Sequence, residues 1–217
     1  MPEKVARHQV RDEIKRRILS GESKAGERLS QQSLARELGV AQGTVRESLM
    51  ELHWLGLVES IDHLGVFVGN LDATHICQAY QIREVLEGLA ARLCCGNAGR
   101  SDIVDLRAMA DGVYEFAKKG KEAEMGRLDR DFHMRIISLS RNGILVRLAE
   151  TYRARGMTVR ASRMPQVIHE EHLRIVDAIE KNLADEAERL SKEHVAAASR
   201  MIEANAREGK FVPKWVE

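Results

Sequence analysis

The hydrophobic period of this chain changes twice in its first seventy residues, and few folds accommodate that. Val10, Ile14, Ile18 and Leu19 recur at helical spacing and are followed by a turn-rich stretch over 20–26. Ser30 stands where a helix N-cap is needed, Leu34, Ala35 and Leu38 form one apolar stripe, and Gly39 can close that helix in the left-handed conformation. After Gln42-Gly43-Thr44, a third helix buries Val45, Leu49 and Leu52 and stops at Gly56. The period then drops to two in Leu57-Val58-Glu59-Ser60-Ile61 and Val66-Phe67-Val68, around a turn at Asp62-His63-Leu64-Gly65. Three helices followed by a two-stranded hairpin form a winged helix-turn-helix.

Beyond residue 72 the helical period returns and persists. Six amphipathic helices are expected, over 73–95, 101–118, 122–140, 144–161, 166–181 and 184–206, with breaks at Gly96-Asn97-Ala98-Gly99, Gly120, Asn142-Gly143, Pro165 and Asn182. A charged share of 31% and only 3 prolines in 217 residues agree with a helix-rich chain. The expected fold is mainly α, with an N-terminal winged helix-turn-helix over 1–70 and a C-terminal antiparallel α-helical bundle over 71–217. The tail Phe211-Val212-Pro213-Lys214-Trp215 either docks on a partner subunit or stays loose.

Neither a membrane-length apolar run nor a signal-peptide core is present, so a cytoplasmic protein with no membrane partner is expected. Cys77, Cys94 and Cys95 are too few and too clustered for a disulfide framework and read as reduced thiols. A net charge of +1 does not announce a nucleic-acid partner. Arg7, Arg11, Lys15, Arg16 and Arg17 crowd the first helix, either against phosphates or as a solvated face.

Two groups of residues carry chemistry. Gln42 and Arg46 lie one turn apart at the start of the third helix, where a helix entering a major groove meets base edges. An arginine there can bridge guanine O6 and N7, and a glutamine can pair with adenine. In the second group, Asp129 and His133 share a helix face at i, i+4, while His172 and His194 sit on the last two helices, which a short turn makes antiparallel neighbours. One carboxylate and three neutral imidazoles suit zinc, nickel, iron or manganese. Taken separately, the same residues are equally at home as a hydrogen-bonded pair and ordinary helix histidines. Asp131 faces away from His133, whereas His169, three residues before His172, could be taken for a ligand on spacing alone.

The N-terminal residues Gly26-Glu27-Arg28-Leu29, Leu34-Ala35, Leu38-Gly39-Val40, Thr44-Val45-Arg46-Glu47-Ser48-Leu49, Leu52, Gly56-Leu57-Val58 and Gly65-Val66-Phe67-Val68 resemble the GntR family of regulators. The helical half resembles the ligand-binding FCD domain of the FadR branch, in its six-helix VanR-like form, through Asp129, His133, His172 and His194; the family pattern selects His172 over His169, which is expected to be exposed. The resemblance implies an operator-binding homodimer and assigns DNA contacts to Arg28, Gln32, Gln42, Thr44, Arg46 and Gly65. It also implies a divalent metal, zinc or nickel before iron or manganese, on Asp129, His133, His172 and His194. A small organic acid effector would bind there, contacted by Arg83 and Asn142. Gln42 and Ala41 stand where relatives usually carry arginine and serine, and Gln32 where some carry arginine, so base preference is expected to differ. Arg83 has an alternative as an ion-pair partner of Glu84 or Glu87, and Asn142 as a helix end. Two readings compete with effector control: a regulator with no organic effector, whose metal is either structural or itself the signal, and a metalloenzyme. The second lacks a nucleophile and base beside the ligands, so no enzymatic activity is expected.

Overall fold

A computed structural model of the chain describes residues 7–54, 56–69, 73–156 and 163–210. It divides into two compact units between His75 and Ile76. The first unit holds α1 (Arg7–Leu19), β1 (Arg28–Leu29), α2 (Gln31–Leu38), α3 (Gln42–Trp54), β2 (Val58–Ile61) and β3 (Gly65–Val68). Val10, Ile14 and Ile18 of α1 and Val45, Leu49 and Leu52 of α3 are all buried, and the two helices pack on each other. Leu19's side chain lies outside the described residues.

The helix ends follow the chemistry of their residues. The Ser30 hydroxyl accepts the Ser33 amide at 3.2 Å, and Gly39 sits at φ 66°, where a Cβ would be strained. Past Gly56, the Leu57 amide bonds back to the Leu52 carbonyl at 2.9 Å, turning the chain out of α3 into the wing.

The wing has a strand that periodicity does not reveal. β2 and β3 pair antiparallel with Val58 opposite Val68 and Ile61 opposite Gly65, and β1 adds to the other edge of β3 with Leu29 opposite Val66. The sheet order is β1-β3-β2, three strands where the sequence predicts two. Two residues cannot display a period of two, which is why no strand is expected at Arg28-Leu29 from the sequence.

The second unit contains α4 (Ala73–Cys94, entering it at Ile76), α5 (Arg100–Lys118), α6 (Glu122–Leu139), α7 (Gly143–Gly156), α8 (Pro165–Glu180) and α9 (Ala184–Arg207). These spans agree with the six expected helices to within a residue or so, except that 157–161 of the fourth, like the 211–215 tail, falls outside the described residues. α5 packs against α6 and α8, and α8 against α9. Left-handed residues at Gly120 and Asn182 close two of the turns.

The main core gathers Ala90 and Cys94 from α4, Leu106 from α5, Phe132 and Ile136 from α6, and Val176 and Ile179 from α8. A smaller cluster joins Ile76 and Tyr80 to Val195 and Ile202 of α9. Phe132 is fully buried, so Phe132→Ala is expected to cost about 3–5 kcal/mol in denaturant unfolding; a loss below about 1 kcal/mol would contradict its place in this core. All three cysteines are free and buried, and burial pushes the Cys94 thiol up to about 12. Among the described residues, no helix is long and apolar enough to cross a membrane.

Candidate metal centre and nucleic-acid interface

Helix α3 has three distinct faces. Val45, Ser48, Leu49 and Leu52 form the buried one, with the Ser48 hydroxyl 2.9 Å from the Thr44 carbonyl and 3.2 Å from that of Arg7. A second face is tied to α1, because Glu47 pairs with Arg7 and Glu51 pairs with both Arg7 and Arg11. The third, with Gln42 and Arg46, is exposed, and among the described residues Arg46 makes no ion pair. Thr44 is half-buried at its edge, and Gln32 of α2 is exposed.

These pairings revise the reading of α1. Arg16 bonds to Glu13 and Glu22, and Arg17 to Glu13 and Glu37, in addition to the Arg7 and Arg11 pairs with α3. The arginines of the cluster are thus largely matched by carboxylates within the unit, which favours a structural role over phosphate binding. Nearer the wing, the turn carries His63 at φ 61° and Gly65 at φ 116°, both left-handed. A Cβ on Gly65 would stand 3.2 Å from Nε of Arg28, so the exposed Arg28 side chain lies close against residue 65 at the turn end of the hairpin.

In the helical unit, α6, α8 and α9 bring His133, His172 and His194 together. Helical spacing puts each on the inward face of its helix, and all three are buried. One donor atom from each lies within 4.8 Å of the others. The ring centroids are 5.2 Å (His133 to His172), 5.0 Å (His133 to His194) and 4.7 Å (His172 to His194) apart. Phe132 backs the cluster, its ring 4.3 Å from that of His172. Asp129, one turn before His133, places Oδ1 at 3.5 Å from His172 Nε2 and 3.9 Å from His133 Nε2.

His172 is the telling residue. It is fully buried, yet neither ring nitrogen makes a hydrogen bond among the described residues. A buried polar atom left this way is costly unless something else satisfies it. Burial, reinforced by its neighbours His194 and His133, holds the His172 imidazole well below its ordinary pKa, so the ring is neutral and keeps a lone pair. His194 is also lowered, first by burial and against the pull of Glu171. Neutral imidazole is the form that ligates metals, and two ligands with bonds of about 2.1 Å at a tetrahedral angle are separated by about 3.4 Å. The Asp129 to His172 spacing is close to that value, whereas Asp129 to His133 and the imidazole donors among themselves stand wider, so the donor types fit a divalent ion that would draw the rings together.

Two carboxylates that sequence reading did not connect to these histidines lie around them. Glu171 Oε2 is 2.7 Å from His194 Nδ1 in a hydrogen bond, and its other oxygen accepts from Arg163. Burial alone would raise the Glu171 carboxyl, but these two hydrogen bonds hold it below its ordinary value. Glu87 Oε2 approaches His133 Nδ1 at 2.9 Å. The signal for Glu171 is its place directly before His172 in Glu-Glu-His, on the helix facing His194.

The remaining sequence candidates have definite places. Arg83 is buried, donates from Nε to Glu87 at 2.9 Å and stacks its guanidinium over Tyr80 at 4.6 Å, which is its ion-pair alternative. Through Glu87 it is one residue removed from His133. Asn142 accepts the amides of Ile144 and Leu145 at 3.2 and 3.1 Å, so its side-chain oxygen serves the start of α7. His169 is half-buried rather than exposed: it bonds to Asp111 at 2.8 Å and stacks on Tyr114, because α5 packs beside α8.

Comparison with known proteins agrees with both units. Residues 6–68 match the gntR family of bacterial regulatory proteins, and residues 78–197 match the FCD domain. A probable D-xylose utilization operon transcriptional repressor of Paenarthrobacter nicotinovorans is 32% identical over 87% of this chain and 85% of its own. The nta operon transcriptional regulator of Aminobacter aminovorans is 30% identical over 78% of this chain and 81% of its own. Among solved structures, E. coli McbR/YncC superposes with a TM-score of 0.72 at 20% identity, covering 92% of this chain and 98% of that one. A putative GntR transcriptional regulator from Rhodococcus sp. RHA1 gives 0.66 at 24% identity, covering 91% and 97%. At these identities the structural likeness is one of fold, whereas the sequence matches establish kinship: the chain belongs to the GntR family of transcriptional regulators and carries an FCD domain behind its winged DNA-binding unit.

Proposed function

We propose that this regulator's affinity for its operator is set by a small carboxylate effector bound at a divalent metal held by Asp129, His133, His172 and His194. The observation that carries the reading is His172, a neutral, fully buried imidazole whose ring nitrogens make no hydrogen bond among the described residues, beside two further histidines and a carboxylate. A bound ion, with zinc or nickel the best match to the donor set, supplies a Lewis-acidic anchor for an oxygen-rich anion. The chain's own residues do the rest. Asp129, partly exposed, offers charge at the mouth of the cluster, and Phe132 closes its back against water. Arg83 carries a fixed positive charge next to Glu87, and an entering carboxylate competes with Glu87 for it. Asn142 is the weaker of the two effector candidates, since its oxygen already caps α7.

On the DNA side, Gln42 and Arg46 read base edges in the major groove. Thr44, Gln32 and Arg28 hold the backbone, and the wing turn at Gly65 approaches the minor groove. Residues 1–70 act as the DNA-binding domain and 71–217 as the effector-binding and dimerisation domain. The exposed apolar residues Ile82, Val85 and Leu89 on one stripe of α4 favour a homodimer that pairs this face with its copy. A twofold dimer matches a palindromic operator. The relative named for a D-xylose utilization operon favours control of an operon for using a small molecule.

The test is operator affinity, on DNA selected from a random pool, with metal-loaded and chelated protein and a panel of small hydroxy and dicarboxylic acids. At least one acid should change affinity about 5- to 150-fold, a coupling of roughly 1–3 kcal/mol, and only in the metal-loaded protein. If metal alone gives the full change, the ion itself is the signal; if neither metal nor any acid changes affinity, the proposal fails.

A further inference from the structure

We infer that Glu171 is a positioning residue for the metal centre, fixing the His194 ring so that Nε2 is the atom offered to the ion. The inference rests on the metal reading above and concerns a residue that is not itself a ligand. A neutral imidazole carries its proton on one nitrogen and its lone pair on the other, and the partner of the first decides which is which. Of the three clustered histidines, only His194 has a ring nitrogen in a hydrogen bond among the described residues, from Nδ1 to Glu171 at 2.7 Å. A carboxylate accepts and does not donate, so Nδ1 carries the proton and Nε2 the lone pair. Glu171 is in turn held by Arg163, a nearly buried cation whose side chain is 10% exposed. Arg163, Glu171 and His194 therefore form a chain in which each member fixes the next.

The arrangement gives α8 two tasks in consecutive residues. His172 points into the cluster as a candidate ligand, while Glu171, about a third of a helical turn away, reaches across to α9 and sets the ring of another. A charged acceptor also makes the ring a better donor to a cation than a carbonyl would, which is why carboxylate partners behind metal-bound histidines commonly change affinity about 10- to 100-fold.

The experiment compares Glu171→Ala and Glu171→Gln with the full-length native chain by zinc affinity in chelator competition and by nitrogen-15 spectra of the histidine rings in the metal-free protein. The expected result is native helical content, zinc affinity lower by about 10- to 100-fold in Glu171→Ala with a smaller loss in Glu171→Gln, and a His194 proton that leaves Nδ1 in Glu171→Ala. Glutamine keeps an acceptor without the charge and guards against a simple packing defect. Native zinc affinity in both variants overturns the inference while the metal reading stands. So does an affinity loss with the His194 proton still on Nδ1. A native chain that binds no zinc, nickel, iron or manganese overturns the metal reading itself.

Discussion

Adding zinc or nickel to metal-free protein is expected to raise its thermal stability substantially, and His172→Ala to abolish the increment. An ion that binds the folded chain alone contributes about 4 kcal/mol when its free concentration is a thousandfold above Kd. For a chain of this length that is a rise of roughly 8–16 °C in melting temperature. The useful quantity is the difference between metal-loaded and chelated samples of one variant, because removing a buried imidazole also leaves a cavity beside Phe132 that lowers both melting points. Asp129→Ala, which removes a partly exposed donor, should shrink the increment without erasing it. An increment in His172→Ala equal to that of the native chain would place the ion elsewhere.

The second large effect is expected at Arg46. Its guanidinium is exposed on the face of α3 that neither the core nor α1 occupies, and among the described residues no carboxylate pairs with it. Arg46→Ala should weaken operator binding by about 1–3 kcal/mol, roughly 5- to 150-fold, and relax selection at one base position. Folding stability should change by less than about 0.5 kcal/mol, as for other exposed positions. Arg7→Ala is the control: it breaks pairs to Glu47 and Glu51 and should alter specificity little. Equal losses on operator and random DNA in Arg46→Ala would make this side chain a phosphate contact instead.

The parts of the fold that sequence reveals are those governed by local rules. Ser30 and Gly39 mark the ends of α2 through their own hydrogen bonding and backbone freedom, and the stripes of α1, α3 and the bundle helices follow the 3.6 period because each faces a single core. What escapes is set by partners distant in sequence. β1 is a strand only because β3 lies beside it. The arginines of α1 read as either a phosphate contact or a solvated face, and only the fold shows α3 and α2 bringing Glu47, Glu51 and Glu37 against them.

The same division runs through the candidate site. Asp129 and His133 are visible as a pair because i, i+4 residues share a helix face, while His172 and His194, on two neighbouring helices, are singled out by the resemblance to the FCD domain. Glu171 is harder to see. It sits next to His172 in the chain, where side chains diverge, and its partner is 23 residues away on α9. Arg83 is seen correctly as a cation with two possible uses, and packing along α4 shows the one within the helix, with Glu87.

The most direct measurement is metal content by elemental analysis, on full-length protein purified without a metal-affinity tag, for the native chain and a His133→Ala, His172→Ala double variant. The account predicts about one equivalent of a divalent transition metal per chain in the native protein and none in the variant. A native chain free of metal even after incubation with zinc and nickel, or equal metal in both proteins, would contradict it.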